Sequence, residues 1–179
     1  MPRFGKIVLL GLLLNLSACQ TFYPAAPALV SPHWQAQQYQ RQDQVEVQWK
    51  QQSFSFLLYQ QQQGKNLSML GLSLTGQVLF KLDFDGQKVK VEQRISQMHL
   101  LPFDFLVRDI LFATYPQFAA SGQADLKQLQ QGNTQQIYIA GQHVLNIQPQ
   151  ADRSIQLENL HVPYTIVFSP IDDALQVDH

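Results

Sequence analysis

Apolar and polar residues alternate in a series of short runs between residues 45 and 92, and this period of two constrains the fold more than any other feature. Val45, Val47 and Trp49 alternate with polar residues, and Phe54 and Phe56 alternate with serines. Such alternation places the apolar side chains on one face of a β-strand. The pattern predicts an antiparallel meander with strands at residues 45–49, 53–58, 67–74, 78–84 and 89–92. We expect hairpin turns at the glutamine run 60–63 with Gly64 and at Asp85-Gly86.

The period changes to that of a helix after Pro102. Apolar residues recur at helical spacing from Phe103 to Leu111, and prolines stand at residues 102 and 116. Proline is favoured in the first turn of a helix and just beyond its end, so we predict a helix over residues 102–115. A weaker pattern predicts a second helix over residues 123–130 that Gly132 ends. Alternation then returns, and we expect strands at residues 136–140, 143–148, 154–159 and 163–168.

The order strands, helix, strands predicts the α+β class, with an antiparallel sheet that helices cover on one face. The third strand departs from simple alternation. Leu70, Leu72 and Leu74 share one face, whereas Leu67 and Met69 lie on the other. A strand that is apolar on both faces is either covered twice or lines a cavity on one side. Ordinary burial is the more frequent explanation for any one of these residues.

The N-terminus has the layout of a secretory signal. Arg3 and Lys6 precede an apolar run, and small residues stand before Cys19, the only cysteine of the chain. The apolar run, at residues 7–14, is too short to span a bilayer of about 30 Å. The segment resembles a bacterial lipobox, which implies that Cys19 becomes the first mature residue and carries lipid chains. Gln20, in place of an aspartate, implies by the same resemblance that the protein is sorted to the outer membrane.

We therefore divide the chain into a signal peptide at residues 1–18, a lipidated N-terminus and tether at 19–44, one domain at 45–171 and a frayed tail at 172–179. We expect Trp34 and Tyr39 of the tether to dock on the domain. Without Arg3 and Lys6 the net charge is (12 − 2) − 13 = −3. A slightly acidic chain with 14% charged residues argues against a nucleic-acid partner.

No catalytic constellation stands out in the sequence. It contains no Gly-x-Ser-x-Gly, no phosphate-binding glycine loop and no His-Glu-x-x-His, the motifs that would support hydrolysis, nucleotide binding or zinc chemistry. Its five histidines have no spacing typical of metal ligands. We predict a protein that is not an enzyme and that has no cofactor and no metal site.

Two stretches resemble a known family. They read NLSMLGLSLTGQVLFKLDFDG at residues 66–86 and LLPFDFLVRDILFATYP at residues 100–116. Their order, an apolar strand, a leucine and glycine loop, an alternating strand and a proline-led amphipathic helix, resembles the middle of the LolB outer-membrane lipoprotein receptor. The chain is also similar to small lipoproteins encoded beside fatty-acid-synthase-like aryl-polyene biosynthesis genes. These resemblances cover most of residues 45–168.

The resemblance implies an incomplete antiparallel β-barrel of the LolA/LolB kind, covered by one or two helices around an apolar cavity for acyl chains. Leu74, in the loop after the third strand, loosely matches a leucine that the receptor uses in handing lipoproteins to the membrane. The residues that we expect to line the cavity are Phe54, Phe56, Leu58, Leu70, Leu72, Val78, Phe80, Leu82, Phe103, Leu106 and Ile110.

The function implied is that of a lipid-anchored outer-membrane protein, facing the periplasm, that binds or transfers an acylated molecule. The ligand would be a lipoprotein or an aryl-polyene lipid, and a periplasmic carrier protein is a possible partner. Two alternatives stay open. One is a structural adaptor that docks an envelope assembly through the same apolar surface. The other, the least supported, is an esterase-type enzyme.

Overall fold

A computed structural model describes residues 26–99, 101–118 and 125–171. Antiparallel strands, one α-helix and a short 3₁₀ turn make up this part of the chain. The predictions for the signal peptide, Cys19 and the frayed tail concern residues outside it. Among the described residues no helix is long and apolar enough to cross a membrane. The elements are β1 (Tyr39–Trp49), β2 (Gln52–Gln63), β3 (Asn66–Leu72), β4 (Val78–Phe84), β5 (Val89–Arg94), a 3₁₀ turn (Ser96–Met98), α1 (Phe103–Thr114), β6 (Leu126–Gln131), β7 (Thr134–Ile139), β8 (Gln142–Pro149), β9 (Ile155–Asn159) and β10 (Tyr164–Pro170).

The ten strands form one sheet in the order β5-β4-β3-β2-β1-β10-β9-β8-β7-β6, and every neighbouring pair is antiparallel. β5 and β6 are the two edges of the sheet and do not pair with each other. Inward residues from both halves of the sheet share one core with α1. The sheet is therefore an open, barrel-like layer around a helix, which confirms the predicted α+β class and the antiparallel sheet.

Helix α1 lies inside the curved sheet and packs against its inward face; it does not cover the sheet from one end. It begins one residue after Pro102 and ends at Thr114, so the predicted helix over residues 102–115 is confirmed. Val107, Ile110 and Leu111 are completely buried or nearly so. At its start the ring of Phe103 lies 5.5 Å from the ring of Phe80 on β4.

The glutamine run after β2's apolar residues is wrongly predicted as a turn. β2 continues through Gln63 and pairs with β1 and β3 along this run, and the turn follows at Gly64, whose φ is +64°. Gln60 and Gln62 continue the inward face of the strand and are fully buried. A run of glutamines is typical of a surface turn, but an amide side chain that has hydrogen-bond partners can be buried.

The second predicted helix, over residues 123–130, is also wrong. From Leu126 onward this segment is strand β6, which pairs with β7 across a turn at Gly132. The spacing of Leu126 and Leu129 fits a helix, but pairing with the neighbouring strand decides the outcome. Gln131 pairs with Thr134 across Gly132, so this glycine, with a positive φ of +59°, lies in a hairpin turn and does not end a helix.

Residues 26–38, which we call the strap, are not a free tether. Ala26 and Leu29 are buried in the core, and the Trp34 indole N–H donates a hydrogen bond to the Lys65 carbonyl at 2.8 Å. Strand β1 then begins at Tyr39, six residues before the expected start of the domain at residue 45. The expectation that Trp34 and Tyr39 dock on the domain is confirmed, and the tether interpretation is wrong for residues 26–44.

Candidate functional site

The structure brings about half of the expected cavity residues together. They are buried in one core with α1 between the strands: Phe56, Leu58, Phe80, Leu82, Phe103 and Ile110. Leu106 is half-buried and packs against the same core. Phe54 continues this face of β2 but lies near the end of the strand, where it is exposed. The sheet therefore has the predicted apolar inward face, and helix α1 occupies the space that this face encloses.

Leu70, Leu72 and Val78 do not face inward, which corrects the prediction. Met69 pairs with Leu82 and Leu67 with Phe84, and these inward residues are fully buried. Because side chains alternate along a strand, the neighbouring Leu70 and Leu72 lie on the outer face. A bulge beside Leu72 shifts the register so that Leu72 pairs with Val78. Val78 is thereby placed on the outer face with Leu72, out of phase with Phe80.

Gly71 is an inward residue that sequence reasoning missed. A Cβ atom built on Gly71 would lie 2.4 Å from the ring of Phe80. Only glycine leaves space for that ring, which in turn contacts Phe56 and Phe103. An isolated glycine inside a strand is a signal for such a close approach.

One end of the sheet carries a group of exposed apolar side chains, which we call the rim. The β1–β2, β3–β4 and β9–β10 turns lie at this end because antiparallel pairing aligns them, and the segment before α1 reaches the same end. Most of the large exposed apolar residues of the described chain belong to it. The rim consists of Trp49, Phe54, Leu74, Leu101, Leu160 and Val162, whose exposed fractions run from 37% to 61%.

Leu74 is the most exposed member of the rim, at 61%. It lies in a tight loop that the Ser73 hydroxyl holds by accepting a hydrogen bond from the Gln77 N–H at 3.0 Å. Gly76, with a φ of +85°, completes the turn. Leu74 therefore stands on an ordered loop with its side chain exposed to solvent.

A buried network of polar side chains lies next to the rim, on the side of the core. The Asp109 carboxylate accepts hydrogen bonds from Arg108 Nε at 2.7 Å, from Asn159 Nδ2 at 2.8 Å and from the Tyr164 hydroxyl. Asn159 Oδ1 accepts bonds from the backbone N–H groups of His161 and Val162 in the β9–β10 turn. The network thus joins α1 to the turn that presents Val162 at the rim.

Burial and the neighbouring carboxylate control the ionisation of Tyr164 in this network. Arg108 and Asp109 form an ion pair at 2.7 Å and are almost completely buried. Burial, and next the negative charge of Asp109, raise the pKa of Tyr164 above its usual range. The tyrosine is therefore a neutral hydrogen-bond donor and not a nucleophile or a base at physiological pH.

The opposite end, which we call the strap end, is polar. The Gln60 amide donates a hydrogen bond to Thr114 Oγ1 at 3.1 Å, while the Tyr115 hydroxyl donates to Gln62 Oε1 and accepts from Gln37 Nε2. These bonds join the strap, β2 and the end of α1. They satisfy the buried glutamines of β2 and leave the fold with one apolar and one polar end.

An ion pair lies inside the sheet near the strap end. Arg41 binds Asp43 through two hydrogen bonds of 2.8 and 2.7 Å, and Asp43 is completely buried. Burial raises the pKa of Asp43, and the Arg41 guanidinium opposes that rise. Burial also raises the pKa of the adjacent Tyr39 to about 12. Arg41 and Asp43 bind each other, and the Tyr39 hydroxyl donates a hydrogen bond to the Thr114 carbonyl at 3.1 Å, so these groups join β1 internally and to the end of α1.

Two depressions lie at the strap end. The larger, of about 560 Å³, is lined by Tyr39, Gly64 and glutamines of β1, β2 and the strap. The smaller, of about 250 Å³, lies between the strap and the end of α1. Neither has a Lys, Arg, Asp or Glu in its lining. Across the described ranges, no group of three or more His, Cys, Asp or Glu side chains could hold a metal ion.

Comparison with known proteins gives one result. The profile of a family described as "Protein of unknown function (DUF3261)" matches residues 40–172. That range holds α1 and all ten strands except Tyr39, the first residue of β1. No curated protein matches the sequence.

Proposed function

The chain belongs to the DUF3261 family of proteins of unknown function, and from this premise we propose that it is a lipid-anchored outer-membrane protein that binds or hands over an acylated molecule. It faces the periplasm and uses its apolar rim, without covalent chemistry. The ligand is a lipoprotein or an aryl-polyene lipid of the kind that the sequence resemblances imply. A periplasmic carrier protein is the expected partner in a transfer.

The rim is the observation that carries this proposal. Six exposed apolar side chains, from three turns and the segment before α1, gather at one end of the sheet. Exposed apolar residues without a function would be scattered over the surface. Exposed apolar patches mark membrane, ligand or protein contacts. Trp49 suits a membrane surface because its ring is apolar and its N–H is polar. Acyl chains that contact the rim would remove its apolar area from water, at about 25 cal/mol for each Å².

The position of the strap supports the anchor. The Pro27 carbonyl lies 3.5 Å from Arg108 Nη1, beside the network that supports the rim. Cys19 precedes Ala26 by seven residues, which span at most about 25 Å when fully extended. A lipid on Cys19 is therefore within reach of a membrane that the rim contacts.

Tryptophan fluorescence tests the rim in a chain that begins at Gln20 and so lacks the lipid. Trp34→Phe leaves Trp49 as the single tryptophan. Phospholipid vesicles or a fatty-acyl probe should shift its emission to shorter wavelength, and L74D with V162D should abolish the shift. Ile171→Asp changes an exposed apolar residue outside the rim and is the matched control. An unchanged emission shift in the double variant would exclude the rim as the lipid-binding surface.

Two further measurements test the ligand and the anchor. Native mass spectrometry of the purified protein, with lipid extraction, should find a bound acylated molecule; its absence together with failure to bind the acyl probe would exclude a carrier. Cys19→Ser should release the protein from the outer-membrane fraction. Retention of that variant in the fraction would exclude the lipid anchor.

An adaptor function is the second candidate, and the outer face of the sheet favours it. Leu57, Leu72 and Val78 form a row across β2, β3 and β4, with Leu70 beside it, and all are half-buried on the solvent side. Such a row could pack against a protein of an envelope assembly. Cross-linking in cells from Leu72 and from Leu74 separates the two functions. Protein adducts at Leu72 favour the adaptor, and lipid adducts at Leu74 favour the carrier.

A further inference from the structure

The smaller depression at the strap end, which we call the strap pocket, has the lining of a binding site. Its wall is aromatic: Trp34 stacks on Tyr115 at 4.9 Å, and Phe118 packs edge-on against Tyr115. Tyr115 and Phe118 are buried, whereas Trp34 is half-buried and supplies the accessible aromatic surface. Three exposed polar side chains, those of His33, Gln35 and Gln117, stand around this wall.

The polar side chains of the pocket are free to bind a ligand. The side chains of His33, Gln35 and Gln117 make no hydrogen bond to any residue in the described part of the chain. Gln37 differs, because its amide N–H donates to the Tyr115 hydroxyl. Each free amide offers a donor and an acceptor on one planar group. The fold does not use this capacity, so it is available to a bound molecule.

The charge of the lining restricts the ligand class. No lysine, arginine, aspartate or glutamate contributes to the pocket. A phosphate or carboxylate would find neither a lysine nor an arginine, the permanently charged partners that it normally has, and an acyl chain would bury the amides without hydrogen bonds. A neutral molecule with many hydroxyl groups satisfies both the amides and the ring. The C–H groups of a pyranose are weakly polar, so they can pack against the exposed part of the half-buried Trp34 indole.

We propose that the strap pocket binds a sugar unit of a neutral glycan. Its volume of about 250 Å³ is below the 300–1,000 Å³ typical of pockets for drug-sized ligands, so it holds one ring. That ring lies against Trp34, and Gln35 and Gln117 bind its hydroxyl groups. The site is at the opposite end of the fold from the rim and does not depend on the proposed function.

Fluorescence of Trp34 tests the proposal in the whole protein, extracted in detergent from cells that produce it. Trp49→Phe leaves Trp34 as the single tryptophan. Titration with neutral oligosaccharides, cellotriose and chitotriose, should change its emission to saturation. Gln35→Ala with Gln117→Ala should weaken binding about tenfold or more, because two hydrogen bonds are lost. Both residues are exposed, so the variant should keep the stability of the parent chain.

A matched control and a competing ligand complete the experiment. Gln156→Ala removes an exposed glutamine on β9 and should leave the affinity unchanged. Trialanine amide, a neutral peptide of similar size, should not bind. The proposal is overturned if neither oligosaccharide binds, if the double variant binds as tightly as the parent, or if the peptide binds as tightly as the sugars.

Discussion

The ring of Trp34 stacks on the ring of Tyr115, with centroids 4.9 Å apart, so that the strap and the residue after α1 form one aromatic unit. Phe84 adds an edge-on contact to Trp34 at 5.0 Å. Gly86 lies directly against the indole, and a Cβ atom there would be 2.3 Å from Trp34 Cγ. The β4–β5 turn therefore fits the strap only with glycine at this position.

Gly86→Ala should destabilise the protein more than Gly64→Ala does. Both glycines have positive φ, which costs an alanine about 1–2 kcal/mol, but a Cβ at Gly64 meets nothing within 4 Å. The additional cost at Gly86 comes from the clash with Trp34. Urea unfolding measures both variants. A Cβ at Gly86 would also lie 2.5 Å from Trp34 Cβ, so the clash is removed only in a Trp34→Gly background. There the two costs should become nearly equal, and a persistent difference would mean that the clash is not the cause.

Met69→Ala and Leu70→Ala should have very different effects although the residues are neighbours. Met69 is completely buried against Leu82, so its truncation should cost about 2–5 kcal/mol of unfolding free energy. Leu70 is half-buried on the outer face, so its truncation should lower the unfolding free energy by about 1 kcal/mol or less. Thermal and urea denaturation measure this difference. Equal costs would contradict the register of β3.

Asp109→Asn should lower the unfolding free energy by about 3–5 kcal/mol, because it leaves the buried Arg108 guanidinium without its counter-ion. Asp125→Asn, at an exposed position just before β6, is the control and should change stability by about 0.5 kcal/mol at most. The heteronuclear NMR signals of His161 and Val162 should also shift in the first variant, since Asn159 holds their turn. Unperturbed signals there would show that the network does not reach the rim.

Gln62→Ala should destabilise the protein by about 1–3 kcal/mol, whereas Gln61→Ala should be close to neutral. Gln62 is buried and donates hydrogen bonds to the Gln35 and Gly64 carbonyls at 3.0 and 2.9 Å, while accepting one from Tyr115. Gln61 is the exposed neighbour on the same strand. Hydrogen exchange should report faster opening of the strap in the Gln62 variant. Equal exchange rates in the two variants would contradict this function of Gln62.

Asp85 should contribute stability at neutral pH that is lost in acid. Hydrogen bonds from the backbone N–H groups of Lys88 and Gln87 hold the pKa of Asp85 below its usual range. The unfolded chain therefore binds more protons than the folded one between the folded and the ordinary pKa. The contribution is complete above the ordinary pKa and disappears as pH falls through the folded pKa. Asp85→Asn should reduce stability at neutral pH, and the stabilities of the two chains should converge as pH falls below the folded pKa of Asp85, which urea unfolding at a series of acidic pH values measures.

The alternating segments made most of the sheet predictable, because an exposed face and a buried face leave a period of two in the sequence. The same logic failed at β3. Both faces of this strand are apolar, and the assignment of Leu70 and Leu72 to the inward face was wrong. It also failed at the glutamine run, since Gln60 and Gln62 are buried through partners on α1 and the strap that are distant in sequence. The rim was predictable only at Leu74. Its other members come together through strand order, which no local pattern encodes.

The unpaired edges of β5 and β6 give the fold a seam. A closed barrel has a fixed circumference, and widening it breaks the hydrogen bonds of a full strand pair. A sheet with a seam changes its radius of curvature through small changes in twist, and every ladder bond survives. The curvature of this sheet is thus set by the packing of its inward side chains on α1, and not by a strand pair that closes it.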